Sequence, residues 1–113
     1  MNIQIFGISK SQDTRKAQRW FKERRIKFQF VDLKDTDMSK GEMQSVARAV
    51  GGVDALIDWD AKDQDLVALM KYLQPEARAE KLLENQHVMI MPVVRNGRQA
   101  TVGYAPKVWE SWE

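Results

Sequence analysis

The fold is decided by the opening of the chain, which reads IQIFGISKSQDTRKAQRWFKERRIKFQFVDL (residues 3–33). Its first residues form an apolar run that ends at Gly7 and predicts a short β-strand. A second strand is predicted from Phe28 to Leu33, with Phe28 and Phe30 on one side. The segment between the two strands has helical spacing. The opening is therefore a β–α–β unit, whose strands run parallel and whose crossover is nearly always right-handed.

The helix of this unit is predicted from about Gln12 to Arg25. Ser11 precedes it as a favourable N-cap, and Asp13 places a negative charge in its first turn. Apolar side chains recur at helical spacing, so one face should be buried while the Arg24 stem covers its edge. The residues of that face are Ala17, Trp20 and Phe21.

The middle of the chain, from about residue 38 to 86, is predicted to be a helical insertion. Residues 39–42 read as a capping box, and Gly51-Gly52 ends the helix that it starts. Helical spacing resumes over residues 66–73, and Pro75 suits the first turn of a further helix.

The last third is predicted to be β–β–α. Residues 88–90 are β-like in composition, and Asn96-Gly97 is a strong hairpin signal between strands at 93–95 and 99–102. Pro106 then opens a C-terminal helix. The whole order indicates one α/β domain over residues 1–113, with a small four-stranded mixed sheet and helices on both faces.

The amino-acid composition excludes several kinds of catalytic and metal site. The 113 residues contain no cysteine, which excludes disulfides, thiolate metal sites and a cysteine nucleophile. The single histidine, His87, argues against a histidine-rich metal site or a histidine-based triad, and no cofactor is expected. No apolar run is long enough to cross a bilayer, and the N-terminal residues lack a signal-peptide layout. The expected compartment is the cytosol.

Charge is concentrated near the N-terminus. The formal net charge is only +2, from 18 Lys+Arg and 16 Asp+Glu. Residues 10–27 hold eight basic and two acidic side chains, a net charge of +6, which leaves −4 on the rest. Such asymmetry indicates either a solvated helix face or a surface for an acidic partner. The basic residues are Lys10, Arg15, Lys16, Arg19, Lys22, Arg24, Arg25 and Lys27.

Ordered segments along the whole chain resemble the arsenate reductase (ArsC)/Spx family, whose members have a thioredoxin-like fold. The turn from Gly7 to Ser11 and the run from Thr14 to Trp20 resemble that family's redox loop and first helix. Further along, the matching segments are residues 53–57, 81–85, 91–94 and 96–104. The resemblance implies a thioredoxin-like α/β fold, descent from thiol-dependent, glutaredoxin-like reductases, and a cis bond before Pro92.

The residues that would carry thiol chemistry in this family are absent. Ser11 stands at the position of the nucleophilic cysteine, and Thr14 at that of the second redox cysteine found in some members. The resemblance marks Lys10, Arg15 and Pro92 as substrate-binding positions. A hydroxyl without an adjacent base cannot form the covalent thiol intermediate, so Ser11 is predicted to act as an N-cap. Glutathione or thioredoxin would be the reductant only if position 11 were cysteine.

The arginines that hold the oxyanion in arsenate-reducing members are also missing. By motif they would fall at Asp58, Met91 and Ala105, none of which is basic. A site without them lacks charge-assisted hydrogen bonds to an oxyanion. Arg95 and Arg98, on the predicted hairpin, are the candidates to replace them.

Two further features have simple structural interpretations. The aspartates at 54, 58, 60, 63 and 65 lack a calcium-loop pattern, which favours a solvated surface. Trp20, Trp109 and Trp112 have the helical spacing of core residues rather than of stacking platforms for nucleic acid. Trp59, which lies between two aspartates, is predicted to be exposed.

Two classes of function remain open. The first is an enzyme lineage, a small reductase of the arsenate reductase type that lacks its cysteine here. If the natural protein has cysteine at position 11, and Ser11 is a replacement, the reductase hypothesis is restored. The second is a non-catalytic regulatory protein of Spx type, whose relatives bind RNA polymerase. The basic first helix is then the surface for a protein partner, and neither direct nucleic-acid binding nor membrane association is expected.

Overall fold

The computed structural model describes residues 1–112. Within them the chain forms a four-stranded sheet, five α-helices and two short 3-10 helices. In chain order the elements are β1 (Ile3–Gly7), α1 (Gln12–Glu23), β2 (Phe28–Asp32), α2 (Lys40–Val50), a 3-10 helix (Val53–Leu56), α3 (Gln64–Lys71), α4 (Pro75–Glu84), a second 3-10 helix (Gln86–Val88), β3 (Val93–Asn96), β4 (Gln99–Val102) and α5 (Pro106–Glu110).

The sheet has the strand order β2-β1-β3-β4, with β1 in the interior. β1 runs parallel to β2, and antiparallel to β3, where Ile5 lies opposite Val94. β3 and β4 form the predicted hairpin, whose two loop residues are Gly97 and Arg98 rather than Asn96 and Gly97. Gly97 has φ 60°, which the first loop position of a type II′ turn requires. The predicted mixed α/β architecture is confirmed.

Side chains alternate across the sheet and build two cores. Ile3, Ile5 and Val94 point to the layer of α1 and α5, where they pack with Trp20, Phe21 and Trp109. Phe6 and Val93 point to the opposite layer, formed by α2, α3 and α4. The buried face predicted for the first helix is confirmed, and Trp112 is half-buried against the same cluster.

The strand expected over residues 88–90 is not formed. Val88 ends a 3-10 helix, and Met89 makes only an isolated bridge with Ile57. The backbone groups here bond to the neighbouring loop instead, because Asp58 N–H donates to Val88 C=O and Ile90 N–H donates to Leu56 C=O. The apolar composition of residues 88–90 reflects burial beneath this loop. A run of three residues is too short for periodicity to distinguish such a buried segment from a strand.

Arg78 ties the helical layer together. Its guanidinium donates to the carbonyls of Met70, Lys71 and Leu73 at the end of α3, at 2.8, 3.1 and 3.0 Å. It also forms an ion pair with Asp54 at 2.7 Å. Helix ends leave carbonyls without intrahelical partners, so one side chain of α4 satisfies the end of α3 and anchors the first 3-10 helix.

We expect Arg78→Ala to lower the free energy of unfolding by about 3 kcal/mol, because it leaves the partly buried Leu73 C=O without its donor and removes the side-chain bonds to Met70 C=O, Lys71 C=O and Asp54. Urea denaturation followed by circular dichroism measures the change. Arg48→Ala, at an exposed position of α2, is the matched control and should shift stability by less than about 0.5 kcal/mol. Equal stabilities for the two variants would contradict the role assigned to Arg78.

Candidate functional site

A groove of about 560 Å³ lies where the parallel strands β1 and β2 end. The loop after β1 supplies residues 8–10, and the end of β2 with its following loop supplies residues 32–34. Residues 84–87 and Met91 close the other side. Ligands of open α/β sheets bind outside the carboxyl ends of the strands, so this groove is the expected place for a site.

The groove carries charges of both signs. Its basic lining residues are Lys10 and Lys34, and His87 also lines it. Its acidic lining residues are Asp32, Asp37 and Glu84. A site for an oxyanion needs an excess of donors and positive charge, which this lining does not provide.

Ser11 caps the first helix of the chain. Its Oγ accepts a hydrogen bond from the backbone N–H of Thr14 at 3.2 Å, and its own N–H donates to Ile8 C=O at 3.1 Å. This is the geometry of an N-cap in a tight turn. No histidine or carboxylate is hydrogen-bonded to the Ser11 hydroxyl in residues 1–112, so the side chain lacks the base that a nucleophile needs.

Thr14 is fully buried against β1. Its Oγ1 has no hydrogen-bond partner among the described residues, and its methyl group packs on Gly7. A Cβ built on Gly7 would lie 2.7 Å from Thr14 Cγ2 and would clash with Oγ1 as well. Gly7 is therefore required for the close approach of α1 to β1, and Thr14 contributes packing rather than an exposed reactive group.

The two predicted basic site residues have different surroundings. Lys10 is exposed and lines the groove. Arg15 is also exposed, but its guanidinium donates to Ser9 C=O at 2.6 Å and so holds the loop in place. Pro92 is buried and follows Met91, and the bond between them is cis, as predicted. Of these three residues, only Lys10 faces the groove directly.

The positions expected for oxyanion-binding arginines have other roles. Asp58 accepts from Asp60 N–H at 3.0 Å, and Met91 contributes an apolar side chain to the groove. Ala105 precedes α5 as its N-cap residue. The described site therefore contains no guanidinium at any of the three positions.

Arg95 and Arg98 do not replace them. Arg95 lies opposite Gln4 in the register of β1 and β3, and its guanidinium donates to Gln4 and to Gly97 C=O. Arg98 is an exposed residue of the hairpin loop. Both lie near the start of β1, whereas Ser11 follows its end, so the length of the strand separates them from the groove.

His87 is a groove residue that sequence reasoning missed. Its Nε2 lies 2.8 Å from Asp63 Oδ2, and Asp63 also accepts from Leu66 N–H as the N-cap of α3. The hydrogen bond with His87 holds the pKa of the Asp63 carboxyl below its ordinary value. No local motif predicts this pairing, because the two residues are 24 positions apart in sequence. The second 3-10 helix brings His87 beside Asp63.

Gln86, next to His87, is buried and joins the two walls of the groove. Its side-chain carbonyl accepts from Met38 N–H, and its amide donates to Met38 C=O, both at 2.8 Å. The amide also donates to Leu83 C=O at 3.1 Å. The loop that follows β2 is thereby fixed to the end of α4.

Trp59 is half-buried rather than exposed, with Lys71 Nζ and the Arg78 guanidinium carbon each 5.8 Å from its ring centroid. In residues 1–112 no group of three or more His, Asp or Glu side chains is arranged to hold a metal ion. No helix of this part of the chain is long and apolar enough to cross a membrane.

The basic segment forms a second surface. All eight of its lysine and arginine side chains are exposed, and none forms an ion pair with an acidic residue of the range 1–112. Only Arg24 and Lys16 lie over aromatic rings, at 3.9 Å from Trp20 and 5.9 Å from Tyr104. Apart from Lys10, which lines the groove, these residues form a positive surface on α1 and the turn after it that no acidic side chain of residues 1–112 neutralises.

Solved structures share this fold over almost the whole chain. A protein related to the ArsC family from Bacteroides fragilis superposes with a TM-score of 0.87 at 20% identity, covering 100% of this chain and 98% of that one. An arsenate reductase from Vibrio cholerae superposes with a TM-score of 0.84 at 21% identity, covering 97% of each chain. No protein-family model and no curated protein matches the sequence.

The chain thus has the thioredoxin-like fold of the arsenate reductases, as the resemblance implied. Identities near 20% show the fold alone. The chemistry depends on the residues of the site, which include no cysteine.

We predict that Gly7→Ala lowers the free energy of unfolding by about 1–3 kcal/mol, because the added methyl group overlaps the buried Thr14 side chain. Adding Thr14→Ala should recover part of the loss, since it removes both clashing atoms. Gly41→Ala on α2 is the control, because a Cβ there meets nothing within 4 Å. Additive effects of Gly7→Ala and Thr14→Ala in a double-mutant cycle would argue against the contact.

Proposed function

We propose that this chain is a non-catalytic binding protein on the arsenate reductase fold, and that it recognises an acidic protein partner through α1 and the turn after it. The observation that carries the proposal is the set of eight exposed basic side chains, none of which forms an ion pair within residues 1–112. The net charge of +6 on residues 10–27 attracts an acidic surface and raises the rate of encounter with it.

The loss of thiol chemistry supports a binding role. No cysteine is present, and the Ser11 hydroxyl is engaged as a helix cap. The groove beside it has mixed charge and lacks the arginines of an oxyanion site. The resemblance to Spx-type proteins makes RNA polymerase the first partner to test, and we expect such a partner in the cytosol.

Purified RNA polymerase should retain this chain at low salt, and retention should fall as salt rises, because exposed charges are screened. The double variant Arg19→Gln/Lys22→Gln should bind roughly tenfold more weakly. Arg48→Gln/Lys62→Gln is the matched control, since it removes two exposed charges from the other layer. Equal retention of both double variants would refute the basic surface, and no retention of the native chain would refute this partner.

The enzyme hypothesis has its own test, motivated by the helix N-terminus and loop that persist around position 11. We expect the native chain to be inactive in arsenate and disulfide reduction coupled to glutathione or thioredoxin. Ser11→Cys should gain disulfide exchange but no arsenate reduction, because a thiolate at a helix N-terminus is stabilised while the arginines stay absent. Arsenate turnover by the Ser11→Cys variant, or activity of the native chain, would favour the reductase.

A further inference from the structure

The C-terminus of α1 has the hydrogen bonds of a Schellman motif. Ile26 N–H donates to Phe21 C=O at 3.0 Å, and Arg25 N–H donates to Lys22 C=O at 3.0 Å. Ile26 and Phe21 also pack in the same apolar cluster, as this motif commonly requires. Arg24 is the C-cap, so Arg25 occupies the next position, which adopts the left-handed conformation and usually carries glycine.

Arg25 is the one non-glycine residue with positive φ in residues 1–112, at 58°. The same chain ends α2 with a left-handed glycine, Gly51 at φ 95°, and Gly52 N–H there donates to Ala47 C=O at 2.8 Å. A side chain in the left-handed region is strained by its Cβ. The backbone would therefore favour glycine at position 25, and the arginine side chain lowers the stability of this turn.

No contact within residues 1–112 compensates that strain. The Arg25 side chain is exposed and has no hydrogen bond, ion pair or aromatic ring as partner within the described chain. Its neighbour Arg24 differs, since its guanidinium stacks on Trp20 and donates to Trp20 C=O at 3.2 Å. Lys22 already places a cation in the last turn of the helix, so the helix dipole does not need Arg25.

Arg25 lines an open depression together with two exposed lysines and two half-buried apolar residues. The lysines are Lys22 and Lys27, and the apolar residues are Ile26 and Phe28. A guanidinium offers two parallel donors to a carboxylate, whereas a lysine offers a point charge. The apolar side chains of Ile26 and Phe28 suit the methylene groups of a glutamate or a neighbouring apolar side chain.

We propose that Arg25 is the anchor that binds a glutamate or aspartate carboxylate of the partner, flanked by Lys22 and Lys27. This inference rests on the proposed function and names the partner's chemistry, an acidic protein segment. A nucleic acid fits less well, because Trp20 and Trp109 in this layer are buried and the depression is lined by one aromatic ring, the half-buried Phe28, rather than by the series of rings on which successive bases stack.

The test combines stability and binding. Arg25→Gly should raise Tm by a few degrees, because glycine relieves the left-handed strain. The same variant should bind a fluorescent oligoglutamate peptide about tenfold more weakly in anisotropy titrations. Lys27→Gln also removes one positive charge from the depression. It should weaken peptide binding less than Arg25→Gly does, and it should not raise Tm. Arg25→Lys should fall between native chain and Arg25→Gly in affinity.

The outcomes separate this inference from the proposed function. If Arg25→Gly binds the peptide as tightly as the native chain while Arg19→Gln/Lys22→Gln loses binding, the basic surface stands and the anchor is wrong. If a single-stranded oligonucleotide binds more tightly than the peptide and depends on Arg25, the assigned ligand class is wrong. If the native chain binds the peptide no better than Arg19→Gln/Lys22→Gln, both proposals fail together.

Discussion

The groove depends on one buried side-chain amide, that of Gln86. The N–H and C=O of Met38 are buried in the loop between β2 and α2, where no strand or helix partner reaches them. Gln86 satisfies both, and its second amide proton bonds to Leu83 C=O at the end of α4. An unpaired buried backbone group costs about 1–3 kcal/mol, so this one side chain decides whether the two walls can meet. Residues 32–37 and 84–87 face each other because of it.

The first turn of α1 is built on a second constraint, which concerns space. Because Gly7 has no side chain, the Thr14 side chain packs directly on the backbone of β1. This contact fixes the start of α1 against β1. Ser11 then completes the helix end by capping Thr14 N–H. In a thiol enzyme the same helix terminus would stabilise a sulfur anion. Here Ser11 Oγ accepts from one of these donors, the N–H of Thr14, and so caps the helix.

The fold could be predicted from local signals, because capping, periodicity and turn residues act over a few positions. Ser39 with Glu42 forms the full capping box, and the face of α1 is buried as its spacing indicates. The groove could not be predicted in this way, since Gln86 bonds to Met38 and His87 to Asp63 across 48 and 24 positions. The prediction that Trp59 is exposed is wrong for a similar reason. Arg78 and Lys71 lie over its ring, and both are distant from it in sequence.

The sheet separates the charge of the molecule as well as its two cores. Seven of the eight basic residues of the segment 10–27 lie on α1 or in the turn after it, whereas Asp54, Asp63 and Asp65 lie on the first 3-10 helix and at the start of α3, on the other face. Within residues 1–112 none of the eight basic side chains forms an ion pair. Arg24 stays close to its own helix by stacking on Trp20, whereas Arg25 extends from a left-handed turn into solvent. Glycine would relieve the left-handed turn at position 25, as Gly51 does at the end of α2, so the contact proposed for Arg25 would offset a backbone cost that no contact within residues 1–112 offsets.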